Sequence, residues 1–215
     1  EVASSILATP TISKPGPYPM PTLGPHPSHE RNGDLMPGLD EFSLDRKVAV
    51  VTGSGQGIGK GIALAMARAG ANVVVAGVSL ADRGRDQEDL DSTARAVQAI
   101  GRRSVAIPTD ARSFEEVHHL IERTINEFGR LDIMVNNAGG GFAAHFMDIN
   151  ERGFEAIVRN NLKSTYLCCF AAGKVMLEAG SGVIINLASG AGMGPSPTQP
   201  VYGATKAGII NLTES

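Results

Sequence analysis

Lys47-Val48-Ala49-Val50-Val51-Thr52-Gly53-Ser54-Gly55-Gln56-Gly57-Ile58-Gly59 is the stretch that decides how the rest of the chain is read. A short apolar run enters a glycine-dense turn, and beyond it Ile62, Met66 and Ala69 recur at helical spacing. A continuous Val-rich run is how a parallel strand covered on both faces reads. Strand, glycine turn and helix in that order predict a phosphate cradle. Glycine lets backbone N–H groups approach a pyrophosphate closely, and the helix N-terminus adds a partial positive charge. The spacing is Thr-Gly-x-x-x-Gly-Ile-Gly, from Thr52 to Gly59. It does not fit G-x-G-x-x-G with Gly53 as the first glycine. Such a turn also serves as a plain strand–helix connection, so the reading depends on what the chain supplies further on.

The chain of 215 residues is 42% hydrophobic and 19% charged with a net charge of −3, which leaves room for one sizeable core. Mild acidity without a basic cluster gives no reason to expect nucleic acid as a partner. No apolar run reaches the length of a membrane span, and the first residues lack the basic-then-apolar order of a signal peptide. Cys168 and Cys169 are neighbours and would point apart on a helix, so they read as small core residues in a reducing, cytoplasmic setting. His118, His119 and His145 have no Cys or acidic partner at zinc spacing, and no metal is expected.

Residues 1–43 form a Pro-rich arm whose prolines, from Pro10 to Pro37, break any helix or central strand; the reading is an extended or disordered segment. Residues 44–215 alternate strand-like and helical patterns. Strands are predicted at Val48–Val51, Val73–Ala76, Val105–Ile107, Leu131–Val135 and Val183–Leu187. Helices are predicted at Gly57–Ala69, Asp86–Ile100, Ser113–Phe128 and Asn150–Ala179, with another beginning near Tyr202. Ser113 and Glu116 read as a capping box. The architecture expected is α/β, a Rossmann-like doubly wound parallel sheet with helices on both faces.

Ligands in such sheets bind at the carboxyl ends of the strands. Polar or glycine-rich residues follow four of them: the glycine turn, Thr109-Asp110-Ala111, Asn136-Asn137-Ala138-Gly139, and Ala188-Ser189. Each has a plain reading as a turn, but together they lie on one rim. The glycines Gly139 to Gly141 read as a flexible stretch that admits substrate. Tyr202 and Lys206 stand four apart on a helix and share a face. A free phenol titrates near about 10, and a neighbouring ammonium favours its ionised form. A tyrosine so placed can exchange a proton with a substrate oxygen, with Ser189 hydrogen-bonding the same atom.

These residues, in this order, resemble the short-chain dehydrogenase/reductase family over residues 46–215. The matching pieces are Thr52-Gly53-x-x-x-Gly57-Ile58-Gly59, Asn136-Asn137-Ala138-Gly139, Asn161, Ser189, Tyr202 and Lys206. The resemblance implies hydride transfer between NAD or NADP and a secondary alcohol or ketone. It assigns Tyr202 as acid/base, Lys206 as the group that assists it and holds the nicotinamide ribose, Ser189 as the residue orienting the substrate oxygen, and Asn161 as support for a proton relay. It assigns cofactor contacts to Gly53, Ser54, Gln56, Gly57, Ile58, Gly59, Asp110, Ala111, Asn137, Ala138 and Gly139, besides Tyr202 and Lys206. A sugar, steroid, acyl thioester or quinol each fits what is visible. The competing reading is a non-catalytic dinucleotide-binding or regulatory protein, or an inactive fragment, on the same scaffold.

Two departures from the family pattern bear on this. Members that use NAD commonly carry an acid directly after the second strand; the matching residue here is Gly77, followed by a loop with Asp82, Arg83, Arg85 and Asp86. Either arginine suits a 2′-phosphate, whereas Gln56 stands where NADP-preferring relatives often have Arg, and the choice stays open. The resemblance also implies two more strands after Ser215, so the sheet is expected to be truncated, with an inner strand left as an edge and Ile209, Ile210 and Leu212 partly exposed. A homodimer or homotetramer is expected of a complete chain.

Overall fold

The predicted strands all form and pair with their neighbours, the inner ones buried on both faces. In the computed structural model, which describes residues 42–78 and 88–215, these are β1 (Val48–Thr52), β2 (Asn72–Gly77), β3 (Ser104–Pro108), β4 (Ile133–Asn136) and β5 (Val183–Asn186). All pair in parallel in the order β3-β2-β1-β4-β5. The Pro-rich arm up to residue 41, the loop carrying Asp82, Arg83 and Arg85, and the predicted helix start at Asp86 lie outside the described residues.

The helices are α1 (Gly57–Arg68), α2 (Glu88–Ala99), α3 (Phe114–Phe128), α4 (Glu151–Val158), α5 (Ser164–Ala179) and α6 (Pro200–Glu214). Along the strands the side chains alternate between two cores. Val50, Val74 and Met134 pack with Leu120 of α3 and Leu167 and Ala171 of α5. Ala49, Val51, Val73, Val75 and Val135 pack with Ala63 and Ala67 of α1 and Leu90 and Val97 of α2. The Val-rich run of β1 is thus buried on both sides, and the order in which the strands are laid down reverses between β1 and β4, where such sheets bind ligands.

Several expectations are corrected. The predicted single helix Asn150–Ala179 is two helices joined by a π-helical turn, Arg159–Lys163. The capping box at α3 is half formed: Ser113 Oγ accepts from Glu116 N–H, but the Glu116 carboxylate accepts from Asp110 N–H at 2.7 Å instead of from the cap residue. Pro108, one residue past the predicted strand Val105–Ile107, is the last residue of β3, which an edge strand tolerates. Cys168 is a buried core residue, its thiol pushed up to about 12 by burial. Cys169, in contrast, sits in a polar cluster, with its Sγ 3.3 Å from Asn136 Nδ2 and 3.4 Å from Asn186 Oδ1. Ile209 is fully buried, not exposed. As expected, β5 stands at an edge of the sheet.

Candidate active site

A cleft of about 680 Å³ opens along the carboxyl ends of the strands. Gly53, Gly55 and Gln56 line it from the turn after β1, Gly77 from β2, Asp110 and Ala111 from the segment after β3, and Asn137, Ala138 and Gly139 from that after β4. The N-terminus of α1 faces this turn without a side-chain cap, and its first turn holds no acid. Its free N–H groups therefore suit an anion.

The glycines serve different needs. Gly57 has φ +55° and open space around its Cα, so its requirement is conformational. A Cβ on Gly59 would run into the Gly53 carbonyl and lie 2.5 Å from Asn137 Nδ2, so its requirement is close packing of α1 onto the turn. A turn this tight, with uncapped N–H groups and a cleft of dinucleotide size beside it, fits a bound pyrophosphate.

Some expected contacts point elsewhere. Ser54 is buried: its Oγ donates to Val51 O at 2.6 Å and accepts from Ala76 N–H at 3.0 Å, locking the turn to β2 rather than facing the cleft. Asn137 Nδ2 donates to Thr52 O and Gly53 O at 2.8 and 3.1 Å. Its backbone N–H, and that of Ala138, donate to Thr52 Oγ1. Thr52 is a residue the sequence reading passed over, although it stands in the quoted motif; with Asn137 it ties the end of β1 to the end of β4. Asp110 is gripped by Arg112, whose Nε donates to Oδ1 at 2.8 Å and whose Nη2 donates to Oδ2 at 2.7 Å. That fork holds the Asp110 carboxyl below the ordinary carboxylate range.

Asn161, Ser189, Tyr202 and Lys206 lie beyond this cleft, linked to it by the loop after β4. Asn161 is fully buried in the π-helical turn. Its Nδ2 donates to Gly140 O and Ile157 O, both at 2.8 Å, and its Oδ1 accepts from Gly140 N–H at 3.1 Å. The glycine loop expected to be flexible is thereby pinned. The next residue, Gly141, lies against the Tyr202 ring, which a Cβ there would meet at 3.0–3.2 Å. Lys206 Nζ is 5.6 Å from the centroid of that ring and donates to Leu187 O at 2.7 Å. Burial pushes the Lys206 ammonium below its ordinary range. Ser189 is two residues past Leu187, and its Oγ accepts from Ala191 N–H at 3.2 Å. Among the described residues no cluster of His, Cys, Asp and Glu is arranged to hold a metal.

The sequence profile described as short chain dehydrogenase matches residues 47–215. The chain is 36% identical over 173 residues to a 3-oxoacyl-[acyl-carrier-protein] reductase of Synechocystis sp., covering 80% of this chain and 68% of that one. It is 35% identical to a 2-dehydro-3-deoxy-D-gluconate 5-dehydrogenase of Escherichia coli, covering 81% of this chain and 66% of that protein. A short-chain dehydrogenase/reductase of Armillaria gallica is 39% identical, with 53% of its length matched. Among solved structures, NAD⁺-bound xylitol dehydrogenase superposes with a TM-score of 0.74 at 29% identity, over 79% of this chain and 63% of that one. The chain belongs to the short-chain dehydrogenase family. Its fold is the family's Rossmann-like one and its cofactor is NAD(P). It spans between about half and two thirds of the length of these relatives.

Proposed function

We propose that residues 44–215 carry the cofactor-binding and catalytic part of an NAD(P)-dependent oxidoreductase that interconverts a secondary alcohol and a ketone. The observation that carries this reading is the Tyr202–Lys206 pair: one helical turn apart, the ammonium 5.6 Å from the ring centroid, the ring against the glycine loop that borders the cleft. When bound, the nicotinamide accepts or supplies the hydride at the substrate carbon. In the oxidation direction the ionised Tyr202 oxygen takes the proton of the substrate hydroxyl, and in reduction its hydroxyl returns one. Lys206 brings a positive charge beside the ring. Ser189 Oγ hydrogen-bonds the substrate oxygen. Asn161 acts as a positioning residue through Gly140, and both ends of its amide are already engaged there.

Beside the cleft, at the start of α1, the N–H groups of Gly57, Ile58 and Gly59 would hold the pyrophosphate, with Gly53 and Gln56 lining the cleft next to it. Ser54 and Asn137 contribute by fixing the turn. Asp110, Ala111, Ala138 and Gly139, which line the same cleft, would wall the adenosine side. The substrate is a small molecule. Among the described residues no helix is long and apolar enough to cross a membrane, and free Cys168 and Cys169 suit a reducing cytoplasm.

The test is Tyr202→Phe, assayed with NAD⁺ and NADP⁺ over a panel of secondary alcohols. Turnover is expected to vanish while cofactor binding persists, because the ring still packs on Gly141. Turnover within about tenfold of wild type, a barrier change of only ~1.4 kcal/mol, would remove Tyr202 from the chemistry.

A further inference from the structure

The corner of the cleft beyond the glycine turn holds a carboxylate to which the reading above gives no role. Asp89, the second residue of α2, lines the cleft together with Gly55, Gln56, Gly77 and Val78. Helix α2 is seated directly on the turn. Thr93 Oγ1 donates to Gly55 O at 3.1 Å, and a Cβ on Gly55 would lie 3.2 Å from Asp89 Cβ. Gly77 ends β2, where a carboxylate commonly receives the ribose hydroxyls. It has no side chain to offer. A Cβ there would make ordinary van der Waals contact with Gly53 Cα and Leu90 Cδ2 at 3.5 Å, so a side chain at this position is sterically tolerated.

The charges in the cleft point the same way. Among the described residues its charged lining is Asp89, Asp110, Arg112 and Glu116. The one cation among them, Arg112, is forked onto Asp110. Among the described residues the Asp89 carboxylate has no ion pair and no hydrogen bond. A carboxylate is an acceptor only: it can receive two ribose hydroxyls, but it has nothing to share with a 2′-phosphate, which is itself an anionic acceptor.

We propose that Asp89 supplies, from the start of α2, the acid that Gly77 does not, accepting the adenosine-ribose hydroxyls and selecting NAD over NADP. The proposal rests on the cleft being the dinucleotide site. It is tested by equilibrium titration of NADH and NADPH, followed by cofactor fluorescence, with thermal melts to confirm folding. The wild-type protein is expected to bind NADH at least tenfold tighter than NADPH. Asp89→Asn should weaken NADH binding about tenfold and leave NADPH unchanged or tighter. Adding Gly77→Asp to Asp89→Asn should restore the NADH preference. NADPH bound as tightly as NADH by the wild type would overturn the proposal and turn attention to Arg83 and Arg85. So would an Asp89→Asn variant that shifts both cofactors equally, or neither. Failure of the folded wild type to bind either cofactor would instead bring down the reading of the cleft itself, and the proposal with it.

Discussion

At the scale of single residues, two glycines two positions apart in one turn answer to different physics, and substitution separates them. Gly57 needs its left-handed φ, which an L-residue adopts at a cost of about 1–2 kcal/mol. Gly59 has ordinary φ but no room, since its Cβ would strike the Gly53 carbonyl. Gly59→Ala should therefore lower stability by about 1–3 kcal/mol, as overpacking does, and weaken cofactor binding by displacing the turn. Gly57→Val should cost only its backbone strain and still reduce affinity. Urea denaturation beside NADH titration reads both, and a Gly59→Ala protein as stable as wild type would refute the packing argument. Lys206 gives a pH-dependent test. Burial holds its pKa below the usual 10.5. A base depressed in this way bears its desolvation penalty in full while charged, below the folded pKa. It sheds the penalty as pH rises from that value to the unfolded one. Wild-type stability relative to Lys206→Met should accordingly increase between neutral pH and about pH 10, measured by denaturation at each end. A constant difference would mean the ammonium is not desolvated in the fold.

Among the elements, the π-helical turn is the least regular and the most consequential. Asn161 Nδ2 donates to the carbonyl of Ile157, four residues back, which the helix would otherwise use, and Ser164 N–H reaches Arg159 O, five back. A side chain that competes for backbone groups can break helical regularity, and here it turns the spare amide capacity onto Gly140. Asn161→Ala would leave the part-buried N–H and carbonyl of Gly140 without their partner, so a loss of about 1–3 kcal/mol is expected. Hydrogen exchange at the Gly140 amide should accelerate, and turnover should fall as the loop against Tyr202 loosens. Exchange as slow as in wild type would show the loop is held by something else. None of this was legible beforehand. The apolar pattern from Asn150 to Ala179 has a helical period throughout, and a π turn shifts that period by a single residue. The strands, most of the helices and the order of the site motifs were legible, because apolar runs, helical periodicity and turn chemistry write themselves into local sequence. The side chains of Ser54 and Asn137 turn onto neighbouring backbone, and that of Cys169 onto Asn136 and Asn186, which was not legible because local sequence names residues without showing which way each side chain faces.

For the molecule as a whole, α5 presents apolar surface on opposite sides. Leu167, Cys168, Ala171, Ala172 and Met176 are buried in the core. On the outside Tyr166 and Phe170 stack with ring centroids 6.2 Å apart and remain 50% and 43% exposed, while Leu177 is 83% exposed. A helix that is apolar all round is ordinarily buried all round. A second apolar surface lies at the sheet edge, where Val183 and Ile185 of β5 are 55% and 41% exposed. Either could draw two copies together, but they would do so differently. An open edge adds strands one after another by backbone pairing, whereas a helix face pairs with its own copy about a two-fold axis and closes. The stacked aromatics favour the helix, because rings already ordered lose little freedom on contact. The chain is therefore expected to form a discrete homodimer through α5. Phe170→Glu should weaken that dimer at least tenfold in sedimentation equilibrium without lowering the melting temperature, since the ring is not part of the core. Val183→Lys, which charges the edge, should leave the dimer intact. The reverse pattern, with association abolished by Val183→Lys and untouched by Phe170→Glu, would assign self-association to the open edge of β5 and remove the α5 face from it.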